Sequence, residues 1–201
     1  MTDQFAETRV IIKDTTASPE ALGAMLLGWL AILLSLSILK VYALSGMVLS
    51  MVFFAGFGFF LVAYMGWKRG ALFTLFAFGA IAIFCWSFAA LMIMPALGMA
   101  APPTVSELAA LLITFGLLVG VLALITMKMP ARLLPLTIFF ASILFVLVGL
   151  EIYTGNETLA SIAGWWGLLV GVMAMYLGSA ITLNETHGKM VAPLLLCKPK
   201  Q

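Results

Sequence analysis

The acids, amides and hydroxyls of this chain are few, and their places limit the chemistry open to it. Glu185 is the one acid at the end of the last long apolar run, beside Asn184 and close to His187 and Lys189. A carboxylate at a helix C-terminus stands against the helix dipole, which costs free energy. Such a group could accept a proton, or it could be a solvated acid paired with Lys189. Ser35, Ser37, Ser87, Thr114, Ser142, Ser161, Ser179 and Thr182 are the polar groups inside the apolar runs. Hydroxyls in such helices mostly bond the carbonyl one turn back. A few along one narrow path would carry a small polar solute. His187 is the single histidine, and no Walker-type loop, Gly-rich nucleotide fingerprint or His-x-x-Glu metal motif occurs. No catalytic residue, metal site or cofactor is assigned, and the chain is not read as an enzyme. Cys85 and Cys197 read as free thiols, one in mid-membrane and one in the tail.

The elements that must position these groups follow from composition. Of 201 residues, 64% are hydrophobic and 9% charged, where a soluble domain carries about 25% charged residues. Mean hydropathy is +1.20. A soluble globule of this size has too little interior for so much apolar surface, so a lipid bilayer is the main solvent. A disordered chain, a nucleic-acid-binding module and an ordinary soluble enzyme are excluded.

Uncharged stretches run over 21–39, 41–67, 70–106, 108–127, 133–150 and 158–184. Each is near or above the roughly 18–20 residues that cross a bilayer as a helix. Met94-Pro95, Gly98 and Pro102-Pro103 close the third. Open sheets cannot span lipid, so the fold class is all-α. Six transmembrane helices are placed near 21–39, 44–66, 71–94, 106–127, 133–150 and 160–184. A leader (1–20) precedes this membrane domain (21–184), and a tail (185–201) follows it. The leader is polar and lacks a small-residue cleavage site, so helix one does not read as a signal peptide.

Nine of the ten Lys and Arg fall on the leader, the second and fourth loops and the tail; only Lys40 falls on the other side. The positive-inside rule puts both termini in the cytoplasm of a multi-pass protein of the cytoplasmic membrane. Glu107, Glu151 and Glu157 then face outward with no basic residue beside them. No charged residue lies in the middle of a predicted helix. Intramembrane charges mark proton relays and ion sites, so a channel or facilitator is favoured over a strongly coupled pump.

Small residues at Gly164, Gly167, Gly171, Ala174 and Gly178 line one face of helix six, and read as a close-packing stripe. Gly116 and Gly120 form a shorter version in helix four. Phe53, Phe57, Phe60 and Tyr64 make a stripe on helix two, read as lipid- or protomer-facing bulk in preference to a gate. Trp165 and Trp166 are expected to anchor the outer end of helix six. Trp29 and Trp86 lie deeper and read as core packing. Ser18-Pro19-Glu20 and Ser106-Glu107 open helices one and four, an echo that suits an inverted three-plus-three repeat. Ser before an acid is also an ordinary helix start, the hydroxyl capping an orphan N–H.

Helix six and the tail read Ala163-Gly164-Trp165-Trp166-Gly167-Leu168, Tyr176-Leu177, Leu183-Asn184-Glu185, Gly188 and Pro193. This pattern resembles the acetate uptake transporter family, and the likeness covers nearly all of 18–193. Met94-Pro95-Ala96-Leu97-Gly98 is similar to the family's close of helix three, and Ala131-Arg132 with Phe139-Phe140 to its start of helix five. Ser18, Pro19, Leu22 and Gly23 stand where the family signature Asn-Pro-Ala-Pro-Leu-Gly-Leu belongs. The resemblance implies six helices per protomer, a homohexamer with a pore through each protomer, and movement of acetate or succinate, commonly proton-linked. It puts Leu27, Ile81 and Ala141 at a constriction where the family has Phe, Tyr and Leu. Leu30, Ala31 and Ser35 stand for a Thr pair and an Asn, and Phe60 and Gly66 for a Gln and a Glu. The path here is therefore the more apolar one.

The expected function is a channel or facilitator for acetate or a similarly small carboxylate. Leu27, Ile81 and Ala141 form its narrow part, Ser35 and Ser87 offer hydrogen bonds, and Asn184 and Glu185 mark the inner mouth. The alternatives are passage of an uncharged molecule such as ammonia or water, and a membrane assembly that conducts nothing.

Overall fold

The computed structural model describes residues 17–129 and 132–194. Arg9, Lys13, Ala131, Cys197, Lys198 and Lys200 lie outside them. Six α-helices run α1 Pro19–Ile38, α2 Gly46–Lys68, α3 Leu72–Ala96, α4 Val105–Thr126, α5 Leu133–Thr154 and α6 Glu157–His187. Each is long and apolar enough to cross a membrane. The fold is all-α, and each predicted span lies on one of these helices.

The helix ends differ from expectation, for identifiable reasons. α1 begins with Pro19 at its first position, where the missing N–H costs nothing. Ser18 does not cap it with its hydroxyl, which is donated to the Glu20 carboxylate instead. α4 starts at a capping box two residues earlier than Ser106: Thr104 Oγ1 accepts from Glu107 N–H, and Glu107 Oε2 accepts from Thr104 N–H at 2.7 Å. The echo between the two helix starts is therefore not matched in their caps. α3 carries Pro95 into its last turn, where only one ladder bond is lost. Asn156 caps α6 by accepting from Thr158 N–H at 2.9 Å and Leu159 N–H at 3.3 Å, which starts that helix three residues early.

Short connections make successive helices antiparallel. The starts of α1, α3 and α5 and the ends of α2, α4 and α6 share one end of the bundle, the terminal end. The opposite end is called distal. Each helix packs on its neighbours in the chain, although α3 touches α4 only lightly, and α6 returns to pack extensively on α1. The six helices thus close a ring.

Glycine seals that closure. A Cβ on Gly171 would lie 3.0 Å from the Gly28 carbonyl, and one on Gly178 2.8 Å from the Ala21 carbonyl. Ala174 is fully buried in the same stripe. The small residues of α6 therefore pack on α1 of the same protomer, where close backbone approach supplies the attraction that lipid does not. Gly116 and Gly149 do the same between α4 and α5.

The aromatic residues divide between the two sides of the bundle. Phe53, Phe57, Phe60 and Tyr64 face outward, while Val52, Ala55, Phe59 and Val62 form the buried face of α2. Trp29 is also exposed, contrary to the core role expected of it. Trp86 packs edge-on against Phe57, with its indole N–H in the notch left by Gly56. Trp165 and Trp166 sit more than two turns inside the long α6, so they do not mark its end. Trp166 Nε1 donates to the Phe140 carbonyl at 2.9 Å and ties α6 to α5.

Candidate functional site

Between the helices, in the distal half of the ring, lies a cavity of about 280 Å³. Three helices supply most of the wall. α1 presents Leu27, Leu30, Ala31, Leu34, Ser35, Ser37 and Ile38. α3 presents Ile81, Phe84, Cys85, Phe88 and Met92. α5 presents Ala141, Leu144, Phe145, Val148, Glu151 and Ile152. Steps of three and four put each set on one helical face. Leu44, Val52, Leu108, Leu112 and Val170 complete the wall. A volume just below the usual range of about 300–1,000 Å³ for ligand cavities suits a solute of a few heavy atoms.

Leu27, Ile81 and Ala141 are the lining residues nearest the terminal end on α1, α3 and α5. Each lies eight or nine residues into its helix, or about 12–14 Å at 1.5 Å per residue. They form the floor of the cavity, near the middle of the bundle. Beyond the floor the packing is closed. Ala24, Leu133 and Leu177 form a buried cluster, and the Phe78 ring fills the space left by Gly23, 2.2 Å from where a Cβ would sit.

Of the eight hydroxyls singled out in the sequence, Ser35 and Ser37 line the cavity. Ser35 is 1% exposed and packs against Gly167. Ser87 does not reach the cavity. It is exposed on α3, about 120° around the helix from the lining face at 100° per residue. Ser142 Oγ donates to the Gly116 carbonyl at 2.7 Å, while Thr114 and Thr182 bond carbonyls one turn back.

Asn184 and Glu185 stand at the terminal end, outside the cavity, and hold the chain together there. Asn184 Oδ1 accepts from Val191 N–H and Ala192 N–H at 2.7 and 2.8 Å, and its Nδ2 donates to the Ala192 carbonyl at 2.9 Å. This folds the tail back on α6, where Tyr176 Oη donates to the Pro193 carbonyl. Glu185 accepts from Ser18 N–H through both oxygens, each at 3.1 Å. The acid placed against its own helix dipole thus meets the favourable N-terminal end of α1. No Glu185–Lys189 ion pair forms.

The remaining signature positions gather there too. Pro19 is buried, Gly23 faces Phe78 and Leu22 points outward. Half-buried Glu20 accepts hydroxyl hydrogen bonds from Ser18 and from Thr74 of α3, and Arg69 donates to the Ala17 carbonyl at 3.0 Å. The starts of α1 and α3 and the ends of α2 and α6 are thereby tied together.

Two features of the distal end are missing from the sequence reading. Glu151 lines the cavity near its mouth; the three-to-four-residue step from Ala141 through Leu144 and Val148 reaches it and could have found it. Lys40 pairs with Glu157 at 2.8 Å, so the distal acids do have a basic neighbour. The hydrogen bond to Glu157 raises the Lys40 pKa above its ordinary value. Among the described residues, no three His, Cys, Asp or Glu gather where one metal ion could bind them.

Comparison with known proteins extends this picture. A sequence model described as the GPR1/FUN34/yaaH family matches residues 4–196. The succinate-acetate/proton symporter SatP of Escherichia coli (strain K12) is 33% identical over 179 residues, which cover 89% of this chain and 95% of the relative. An uncharacterized protein of Methanothermobacter thermautotrophicus is 33% identical over 195 residues, 93% of this chain and 95% of the relative. The solved structure of the bacterial acetate channel SatP superposes with a TM-score of 0.85 at 33% identity, over 89% of this chain and 98% of that one.

Proposed function

The chain belongs to the GPR1/FUN34/yaaH family, and on that premise we propose that it passes acetate or a similarly small monocarboxylate across a membrane. The observation that carries the reading is the cavity with Leu27, Ile81 and Ala141 at its floor. It is small, sits between all six helices, and ends at three apolar side chains in mid-membrane. A solute entering from the distal end meets Glu151 and Ser37 at the mouth, then Ser35, and the apolar floor last. Passage then requires that floor and the packing around Phe78 to open toward the terminal end. The protein acts as a channel or facilitator rather than an enzyme.

Lys68, Arg69, Lys128, Arg132 and Lys189 all lie at the terminal end. Their bias supports a cytoplasmic terminal end, an outward-opening cavity and residence in the cytoplasmic membrane. The outward aromatic face of α2 and α3 is available for lipid or for a second protomer, and we take the assembly to be a homohexamer with one path per protomer.

The test is flux of labelled acetate into liposomes holding the purified protein, at a pH where most acetate is anionic. Flux no greater than in empty liposomes would remove the reading. Labelling of Lys68 from outside intact cells would reverse the topology. The apolar lining also favours a second reading, passage of an uncharged solute such as ammonia or water. Swelling of the same liposomes in several solutes separates the two.

A further inference from the structure

Glu151 is the only charged residue among those lining the cavity. It stands ten residues beyond the floor residue Ala141 on the same face of α5, about 15 Å along the helix, and so marks the mouth. The charges around that mouth are few. Lys40, on the connection after α1, is already taken by Glu157 of α6 at 2.8 Å. α1, α3 and α4 bring Ser37, Met92 and Leu108 to the same wall, none of which titrates near neutral pH. Glu107 at the start of α4 is held in its own capping box. Glu151, Glu157 and Lys40 together carry one net negative charge, the capping carboxylate of Glu107 adds another at the same end, and no cation lines the wall inside.

From this arrangement we propose that Glu151 makes the cavity select the neutral carboxylic acid over its carboxylate anion. The proposal rests on the acetate reading above and names the species that crosses. An anion would pass a like charge at the mouth and then lose water for a wall offering two serine hydroxyls. A charge taken from water without a partner is strongly disfavoured. The neutral acid keeps its proton, donates its O–H to Glu151 or Ser35, and presents a methyl group to the leucine and phenylalanine wall. At the terminal end, RCOOH dissociates to RCOO⁻ and H⁺ among basic residues. One proton therefore moves with each carboxylate, and no ionisable relay is needed in mid-membrane.

The test uses the whole protein in vesicles carrying a trapped pH dye and, in parallel, in planar bilayers. Wild type, E151Q and E151K are compared, each first shown to be monodisperse in detergent. Bare lipid carries no acetate anion, so current is the decisive signal. The expected result is acetate-driven internal acidification above that of empty vesicles, without acetate current, for wild type. Acetate current at least fivefold above the protein-free bilayer background is expected in E151Q, and more in E151K. Acetate current in wild type equal to that in E151Q would overturn the selection by Glu151 while leaving the acetate reading intact. Neither current nor extra acidification in any of the three would overturn the acetate reading and the proposal with it.

Discussion

Ser35 Oγ lies 2.0 Å from the point where a Cβ on residue 167 would stand, so Ser35 of α1 and Gly167 of α6 are fitted to each other. One contact thus joins the polar lining of the cavity to the glycine seam that closes the ring.

Gly167→Ala should therefore destabilise the bundle and disturb the cavity together. Overpacking costs about 1–3 kcal/mol, partly offset by alanine's helix preference of about 1 kcal/mol. A net loss of up to about 2 kcal/mol is expected, measured as a lower unfolding midpoint in detergent. Gly46→Ala is the control, because a Cβ there meets nothing within 4 Å, and it should leave the midpoint unchanged or slightly raised.

The floor should control passage by size. Ala141→Leu fills space between Leu27 and Ile81 and should cut acetate flux at least tenfold with the protein still monodisperse. Leu27→Ala should widen the floor and admit a longer monocarboxylate. An Ala141→Leu protein with wild-type flux would move the path elsewhere.

Ser35 and Ser87 should behave differently, because of the two only Ser35 lines the cavity. Ser35→Ala removes a hydroxyl from the cavity wall and should lower flux severalfold. Ser87→Ala alters an exposed face of α3 and should leave flux within experimental scatter. Equal losses from both would contradict the placement of the cavity.

Glu185→Ala removes both acceptors of the Ser18 N–H. The site is exposed, so the loss should be about 1 kcal/mol or less. The start of α1 should loosen, which faster amide hydrogen exchange over residues 18–21 would report.

The Lys40–Glu157 pair sets a pH dependence of definite sign. The carboxylate holds the Lys40 ammonium above its ordinary pKa of 10.5, so folding favours the charged form. Its contribution is complete below 10.5 and is lost as pH rises through the raised value. Lys40→Met should lower the midpoint at pH 8 in low salt, and the difference should vanish in strong alkali. A difference that persists there would assign the effect to packing.

Much of the fold is legible in the residues because lipid imposes a simple rule. Every backbone group in the hydrocarbon layer must be satisfied within its own helix, and a span has a fixed length. The uncharged stretches between Lys40, Lys68, Glu107, Lys128 and Glu151 therefore became helices. The stripe from Gly164 to Gly178 likewise showed that α6 packs closely on something. The site was less legible. Leu27, Ile81 and Ala141 entered through a family likeness, and no local pattern separates them from the other apolar residues around them.

The sequence by itself determined six spans, their alternation and the near absence of charge inside them, since these depend on transfer from water and on helix geometry alone. Only the tertiary structure decided which faces meet. It turned the α6 glycines toward α1, sent Ser87 outward and Ser35 inward, and joined Glu185 to Ser18 and Lys40 to Glu157 across the chain. It also brought Glu151 to the mouth of the cavity. Those outcomes depend on how each helix is rotated about its axis. Where apolar residues surround every helix, only packing against neighbours sets that rotation.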